Sequence, residues 1–155
     1  MRKAVKTHLP AVSAPLEWAT VSDGVLYTAQ IPIREDGSIE TGDIAAQAAL
    51  TLTNLRRTVE AAGGTMDDVS QVMVFLPDPK DFPGMNAAFA SAFRKPYPNR
   101  ATMVAGLMVP GARIEVVAYA HVGGRTARVK ATARPKASAG RKAKARPKAV
   151  PRRSR

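Results

Sequence analysis

Two charged side chains stand at or inside strand-forming segments, and they are the first candidates for a site with chemistry. Arg100 precedes the run 101–109, and Glu115 lies inside an otherwise apolar run, 114–119. A guanidinium binds anions well because its planar fork of donors carries a permanent charge. A carboxylate in an apolar strand is costly to bury unless it is paired or functional. Arginine at a strand start is also often a solvated surface residue, and alternation allows Glu115 the exposed face of an edge strand.

Thr102 follows Arg100 by two positions, so both side chains project from the same side of a strand. Its hydroxyl could form a hydrogen bond beside the guanidinium, although a β-branched threonine is also simply a good strand residue. The sequence has no cysteine, which excludes a thiolate nucleophile and a cysteine-based zinc site. His8 and His121 are isolated, and we interpret them as structural or exposed residues. No metal site is expected.

The first half of the chain predicts two strands and a helix. A β-hairpin is predicted within 16–33, around the turn Ser22-Asp23-Gly24. Apolar residues then recur at steps of three and four from Ile44 to Ala62, which predicts a helix. Asp43 can cap its start, and Gly63-Gly64 supply the left-handed residue that commonly ends a helix.

The second half predicts three strands and another helix. The short apolar run 69–76 is typical of a central strand. Asp81 can cap a second helix with Pro83 in its first turn. The inward stripe of that helix is predicted to be Phe82, Met85, Phe89 and Phe93. The last two strands are predicted at 101–109 and 113–122, joined by the turn Pro110-Gly111.

This order of elements indicates an α+β domain with a single sheet and both helices on one face, since that arrangement covers every apolar stripe. The opposite sheet face is then uncovered. A strand such as 69–76, apolar on both sides, would expose a sizeable hydrophobic patch there, and such patches usually mark association surfaces. We therefore expect a homo-oligomer.

The charge is concentrated at the C-terminus. Residues 125–155 hold thirteen of the 24 Lys and Arg residues and none of the 12 Asp and Glu residues, which leaves residues 1–124 nearly neutral. The segment 125–155 has few large apolar residues and is expected to be a disordered tail, so the domain is expected to span 1–124. We find no signal-peptide pattern and no apolar run long enough to span a bilayer, and a cytoplasmic location is expected.

Several motifs resemble, in order and spacing, those of the RidA/YjgF family of enamine/imine deaminases. The strand 27–32 is similar to the family's hydrophobic-Ser-Gly-Gln-Ile-Pro strand, with Thr28 and Ala29 at the Ser-Gly pair. The sharpest match is Pro98-Asn99-Arg100-Ala101-Thr102, which resembles P-A-R-[ST]-[TC] and is followed by Glu115 fifteen residues after the arginine. Further similarities lie at Gln47, Asn54-Leu55, the turn from Ala61 to Val69, Asp81-Phe82, Asn86 and Phe89.

The resemblance implies a chorismate-mutase-like fold and a homotrimer with clefts between subunits. It implies hydrolysis of 2-imino acids, or their 2-aminoacrylate-type enamine tautomers, to 2-keto acids and ammonia, with no cofactor. It implies that Arg100 binds the substrate carboxylate and that Glu115 positions or activates the attacking water. The residues expected at the catalytic site are Arg100, Glu115 and Thr102, and those expected at the substrate are Arg100, Thr28, Ala29, Leu16, Trp18 and Asn86.

One departure and two alternatives bear on this interpretation. The family commonly has a tyrosine where this chain has Leu16, and Trp18 either supplies an aromatic wall or is a packing residue. Without the tyrosine, the chain could be a regulatory protein that binds carboxylate metabolites with little turnover. Alternatively, the domain could be a trimeric scaffold whose tails at 125–155 bind nucleic acid non-specifically. The simpler alternative to nucleic-acid binding is that the tail is a solubilising or vestigial extension.

Overall fold

A computed structural model of the protein describes residues 1–123 and contains one six-stranded mixed sheet. The strands, in chain order, are β1 Lys3–Ala4, β2 Ala19–Ser22, β3 Val25–Gln30, β4 Val69–Leu76, β5 Asn99–Val104 and β6 Glu115–His121. Their order across the sheet is β1-β2-β3-β6-β4-β5, and β4 and β5 are its parallel pair. The predicted hairpin is confirmed as β2 and β3, whose turn places Asp23 and Gly24 at positive φ.

Two helices, α1 Ile44–Ala61 and α2 Phe82–Ala92, cover one face of this sheet. The Asp43 carboxylate accepts a hydrogen bond from the Ala46 amide at 3.0 Å, and Gly63 follows α1 with a φ of 82°, as the sequence predicts. Gly84 allows the helices to approach closely, because a Cβ there would lie 2.6 Å from Cγ2 of Ile44. The predicted single sheet with two helices on one face is confirmed, and the predicted tail lies outside the described residues.

The core lies between the helices and the sheet. The most deeply buried strand residues alternate along the central strands, and each is at most 1% exposed: Leu26, Val72, Val74, Leu76, Val116 and Ala118. The intervening residues face away from the helices and are only partly covered. They include Tyr27, Ala29, Met73, Phe75, Glu115, Val117 and Tyr119. The predicted uncovered sheet face is therefore present.

Buried amide side chains connect α1 to the loops around it. The Asn54 Nδ2 donates hydrogen bonds to the carbonyl oxygens of Ile31 and Ile33, and its Oδ1 contacts Nε2 of His8 at 3.2 Å. His8 is thus a structural residue, as expected from the sequence, and His121 is exposed. Since buried carbonyl groups need hydrogen-bond partners, Asn54 fixes the chain as it leaves β3.

The two final strands predicted at 101–109 and 113–122 are present with shifted bounds, and they are not neighbours in the sheet. β5 ends at Val104, and the loop 105–114 carries the chain past β4 to β6, so β4 lies between the two strands. Apolar β-formers at 105–109 suggested a longer strand, but Met108 projects from the loop with 93% exposure. Gly111 adopts the positive φ that its turn position predicted. Neither helix within residues 1–123 combines the length and apolar character needed to cross a bilayer.

Candidate functional site

Arg100 lies on the helix-covered side of β5, at the edge of the sheet. It pairs in register with Val72 of β4, whose side chain is fully buried beneath the helices. Its Nη2 donates a hydrogen bond to Oδ1 of Asn86 in α2 at 2.8 Å. Its Cζ lies 4.5 Å from the ring centroid of Phe89 and 5.8 Å from that of Phe82, within cation–π range. Three side chains of α2 therefore hold the guanidinium in place.

A groove of about 400 Å³ opens beside this guanidinium and is called here the arginine groove. It is lined by Asn86, Phe89, Ala90, Tyr97, Pro98 and Arg100. Within residues 1–123, Arg100 has no carboxylate partner, although four other arginines there do. A half-buried guanidinium with donors left over is suited to bind an anion from solution.

Thr102 lies on the same side of β5 as Arg100, as predicted, because it pairs with the fully buried Val74. Its side chain is partly exposed near the sheet edge. The hydroxyl is thus on the guanidinium's side of the strand and can reach a molecule that lies across β5.

Glu115 projects from the opposite side of the sheet. It pairs with Phe75 of β4, which points away from the helices, whereas Val72 and Val74 point towards them. Its carboxylate is partly exposed and makes no hydrogen bond or ion pair to another residue in the described part of the chain. The surrounding surface, called here the glutamate face, consists of Ala29, Met73, Phe75, Glu115 and Val117.

The two predicted catalytic groups therefore do not meet within one subunit. Paired residues in neighbouring strands project to the same face, and the register places Arg100 and Glu115 on opposite faces. A small molecule bound to one copy of the chain therefore cannot contact both groups.

The predicted pair Thr28 and Ala29 is divided between the two faces. Ala29 is exposed on the glutamate face, where it pairs with Val117. Thr28 is 6% exposed and points into the core, and its hydroxyl donates to the carbonyl oxygen of Trp18 at 2.7 Å. The Thr28 hydroxyl also accepts a hydrogen bond from Gln30, so it is committed to the protein interior.

Leu16 and Trp18 occupy different environments. Leu16 is 53% exposed and lines an open groove with Arg2 and Thr20. Trp18 packs against the small cluster of Leu9, Ile31 and Ile33, and its Nε1 donates to the carbonyl oxygen of Pro10 at 2.8 Å. The indole is thus placed as a packing residue, and Leu16 alone of the two presents its side chain largely to solvent.

Two expectations about the second helix need correction. Phe82 was predicted to face inward but is 44% exposed and lies beside Arg100, because the guanidinium occupies the edge of the helix–sheet interface. Asp81 stands at the cap position without making a capping hydrogen bond, since its carboxylate binds the guanidinium of Arg113 instead. The aromatic support of Arg100 by Phe82 and Phe89 was not predicted from the sequence. The signal was their spacing of seven residues, two helical turns, which places both on one helix face.

Metal-ligating side chains do not gather anywhere within residues 1–123: no group of three or more His, Asp or Glu residues could hold an ion there. The arginine groove and the glutamate face together present one guanidinium, one carboxylate and neighbouring hydroxyl and amide groups.

Comparison with known proteins shows extensive similarity. The family model described as endoribonuclease L-PSP matches residues 6–122. A solved putative endoribonuclease L-PSP from Entamoeba histolytica is 31% identical with a TM-score of 0.73, covering 78% of this chain and 99% of that one. The E. coli YjgF gene product is 30% identical with a TM-score of 0.71, covering 77% and 98%. E. coli TdcF, solved with bound serine, is 27% identical with a TM-score of 0.71, covering 77% and 98%.

Proposed function

Because the chain belongs to the RidA/YjgF family, we propose that it hydrolyses reactive 2-imino acids and their 2-aminoacrylate-type enamine tautomers to 2-keto acids and ammonia. The observation that carries this proposal is the guanidinium of Arg100, which is held by Asn86 and Phe89 but has no carboxylate partner within residues 1–123. The bound serine in the structure of TdcF supports a ligand of amino-acid type, whose carboxylate Arg100 would take.

The site forms between subunits of a homotrimer. Each subunit offers an arginine groove on the helix side of β5 and a glutamate face on the other side of the sheet, so neither half is sufficient alone. The partly exposed Met73, Phe75 and Tyr119 give the open sheet face an apolar surface that a second subunit would cover. A closed ring of three copies uses each half of the site once per cleft.

The chemistry demands little from the protein. A protonated imine is already electrophilic, so the tasks are to hold the substrate, place a water molecule and stabilise developing charge. Arg100 fixes the carboxylate of the substrate. Glu115 accepts a proton from the water molecule as the water oxygen attacks C2 of the imine. Protonated Glu115 then returns its proton to the nitrogen of the resulting carbinolamine. Ammonia leaves as the C–N bond breaks, the C2 hydroxyl gives up its proton to the Glu115 carboxylate, and C2 becomes the keto carbon. Thr102 donates a hydrogen bond to the water or the departing nitrogen.

The direct test is to generate 2-aminoacrylate freshly in the presence of the purified protein. We expect faster release of pyruvate and ammonia than in buffer, measured by a coupled dehydrogenase assay. A chain ending at Gly124 should retain this activity, because all the proposed site residues precede that position. If the protein binds stable analogues of the imino acid but does not accelerate pyruvate release, the proposed enzymatic activity is contradicted. That result would favour a regulatory protein that binds carboxylates.

The charge of residues 125–155 favours a second, independent function: non-specific nucleic-acid binding. Thirteen cationic and no acidic side chains lie in this segment, and a trimer would carry three copies. Counterion release then makes binding strongly salt-dependent, and the absence of aromatic residues from the segment favours phosphate contact over base recognition.

We expect the full chain to shift duplex DNA in a gel at low salt, with affinity falling by about 10³-fold or more between 50 and 200 mM salt. The chain ending at Gly124 should lose the shift at every salt concentration. If the truncated protein binds as tightly as the full chain, the tail does not carry the binding. Scrambled DNA sequences of equal length serve as the control and should bind equally.

A further inference from the structure

The segment that leads into Glu115 is tied to the start of α2 by a salt bridge. Arg113 donates from Nε to Oδ2 of Asp81 at 3.0 Å and from Nη2 to Oδ1, so the contact is bidentate. Asp81 is 4% exposed, whereas the Arg113 side chain is 45% exposed. The hydrogen bond that Arg113 donates to Asp81 raises the pKa of Arg113, so the guanidinium stays charged at neutral pH.

Gln47 of α1 fixes the same segment from a second side. Its Oε1 accepts the Arg113 amide at 2.7 Å, and its Nε2 donates to the carbonyl oxygens of Gly111 and Glu40 at 2.9 and 2.8 Å. Gln47 is 2% exposed, so its amide group is shielded from water and these hydrogen bonds satisfy it within the protein. The backbone of 111–113 is therefore held by both helices immediately before β6 begins.

These contacts lie two residues from Glu115 and outside both halves of the proposed site. Glu115 opens β6 at the end of the ten-residue loop 105–114, and its carboxylate has no partner within residues 1–123 to orient it. Pairing with Phe75 of β4 sets the face on which Glu115 lies, and because Glu115 is the first residue of β6, the segment before it is the other restraint on its backbone. The buried Ile114, which is 1% exposed, and the Arg113 anchor are the features that supply this restraint.

We infer that Arg113 and Asp81, together with Gln47, are positioning residues that hold Glu115 where it activates water. This inference rests on the proposed deaminase function. Arg113 does not touch the substrate in this arrangement, because its guanidinium is bound to Asp81 at the start of α2. It acts through the backbone that it shares with Glu115.

The test uses full-length Arg113→Gln, Asp81→Asn and the double variant, assayed with 2-aminoacrylate. We expect kcat to fall by about tenfold while KM stays within about twofold, because Arg100 still holds the carboxylate. The double variant should lose no more than either single variant, since both remove the same contact. Arg113→Lys should recover part of kcat, as an ammonium keeps the charge but loses the fork.

The matched control is Arg57→Gln. Arg57 also forms an ion pair, with Glu35, but the two side chains are 41% and 68% exposed and neither residue belongs to the segment before β6. Its kcat should equal that of the wild type. Circular dichroism and the urea midpoint report whether each variant is folded under assay conditions. A folded Arg113→Gln protein with wild-type kcat would overturn the inference while leaving the deaminase intact.

A second measurement does not depend on activity. Amide hydrogen exchange, followed by mass spectrometry on peptides covering 105–116, should become faster in Arg113→Gln and Asp81→Asn and remain unchanged in Arg57→Gln. Unchanged exchange in this segment would refute the anchoring role even if the wild type proved inactive. Inactivity of the wild type with faster exchange in the variants would refute only the proposed function.

Discussion

Replacing Arg100 with alanine is expected to lower kcat/KM for deamination about 10²–10³-fold. The substitution removes a bidentate pair of charge-assisted hydrogen bonds to the substrate carboxylate, worth about 3–4 kcal/mol together. It also leaves the Asn86 amide and the Phe89 ring without their cationic neighbour. The readout is pyruvate release from 2-aminoacrylate at several substrate concentrations, so that kcat and KM are separated.

Arg100→Lys distinguishes charge from geometry. Lysine keeps the positive charge but cannot offer two parallel donors, and it loses the planar stacking on Phe89. We therefore expect an intermediate loss, about 10–100-fold in kcat/KM. A lysine variant with full activity would show that Arg100 acts only as a nearby charge.

The control for Arg100 is Arg94→Ala. Arg94 lies just beyond α2, its side chain is 87% exposed, and its contact with Asp67 is long at 3.8 Å. Loss of such a surface charge should change kcat/KM by no more than about twofold. If Arg94→Ala and Arg100→Ala were equally impaired, the effect would reflect general charge or folding rather than a specific clamp.

The elements with local signals could be predicted from the sequence. Asp43, Gly63 and the periodic stripe between them define α1 because capping and helix periodicity act within a few residues. The apolar run from Val69 to Leu76 matches β4 at both ends, since Pro77 follows it directly. Thr102 shares a side with Arg100 because residues two apart in a strand always do.

The pairing of strands could not be predicted in the same way. The insertion of β4 between β5 and β6 depends on contacts between residues far apart in the chain, and the loop 105–114 carries no signal of it. The location of Arg100 and Glu115 on opposite faces of the sheet could not be predicted for the same reason. Side chains alternate between the two faces only within a continuous strand, and an irregular loop separates Arg100 from Glu115. The face on which each side chain lies therefore follows only from the register of β5 and β6 with β4.

The tertiary environment also determined the exposure and hydrogen-bond partners of two residues whose elements were correctly predicted. Phe82 belongs to the apolar repeat of α2, yet it is exposed beside Arg100 at the edge of the sheet. Asp81 has the residue type and position of a helix cap, but a guanidinium from the segment before β6 competes for its carboxylate. A bidentate contact between a guanidinium and a carboxylate is stronger than a single hydrogen bond from a backbone amide, which explains the outcome.

Glu115→Gln is the second substitution expected to have a large effect, with kcat falling about 10²–10³-fold and KM changing little. Glutamine keeps the size and the hydrogen-bonding reach of the side chain but cannot accept the proton from water. Glu60→Gln, at an exposed position of α1, is the matched control and should retain wild-type kcat. A Glu115→Gln protein with normal kcat would remove the carboxylate from the mechanism.

Mixing the two inactive variants tests the intersubunit site itself. Arg100→Ala subunits keep Glu115, and Glu115→Gln subunits keep Arg100. A cleft with both groups intact therefore forms only where the arginine groove of a Glu115→Gln subunit meets the glutamate face of an Arg100→Ala subunit. After equal mixing, unfolding and refolding, random assembly of a ring makes about a quarter of the clefts intact, and about a quarter of wild-type activity should return. A site contained within one subunit could not be restored by mixing, because every subunit would still lack one of its two groups. Persistent inactivity of the mixed, reassembled protein would therefore contradict a shared cleft, whereas recovery would link the opposite faces seen in the strand register to one reaction.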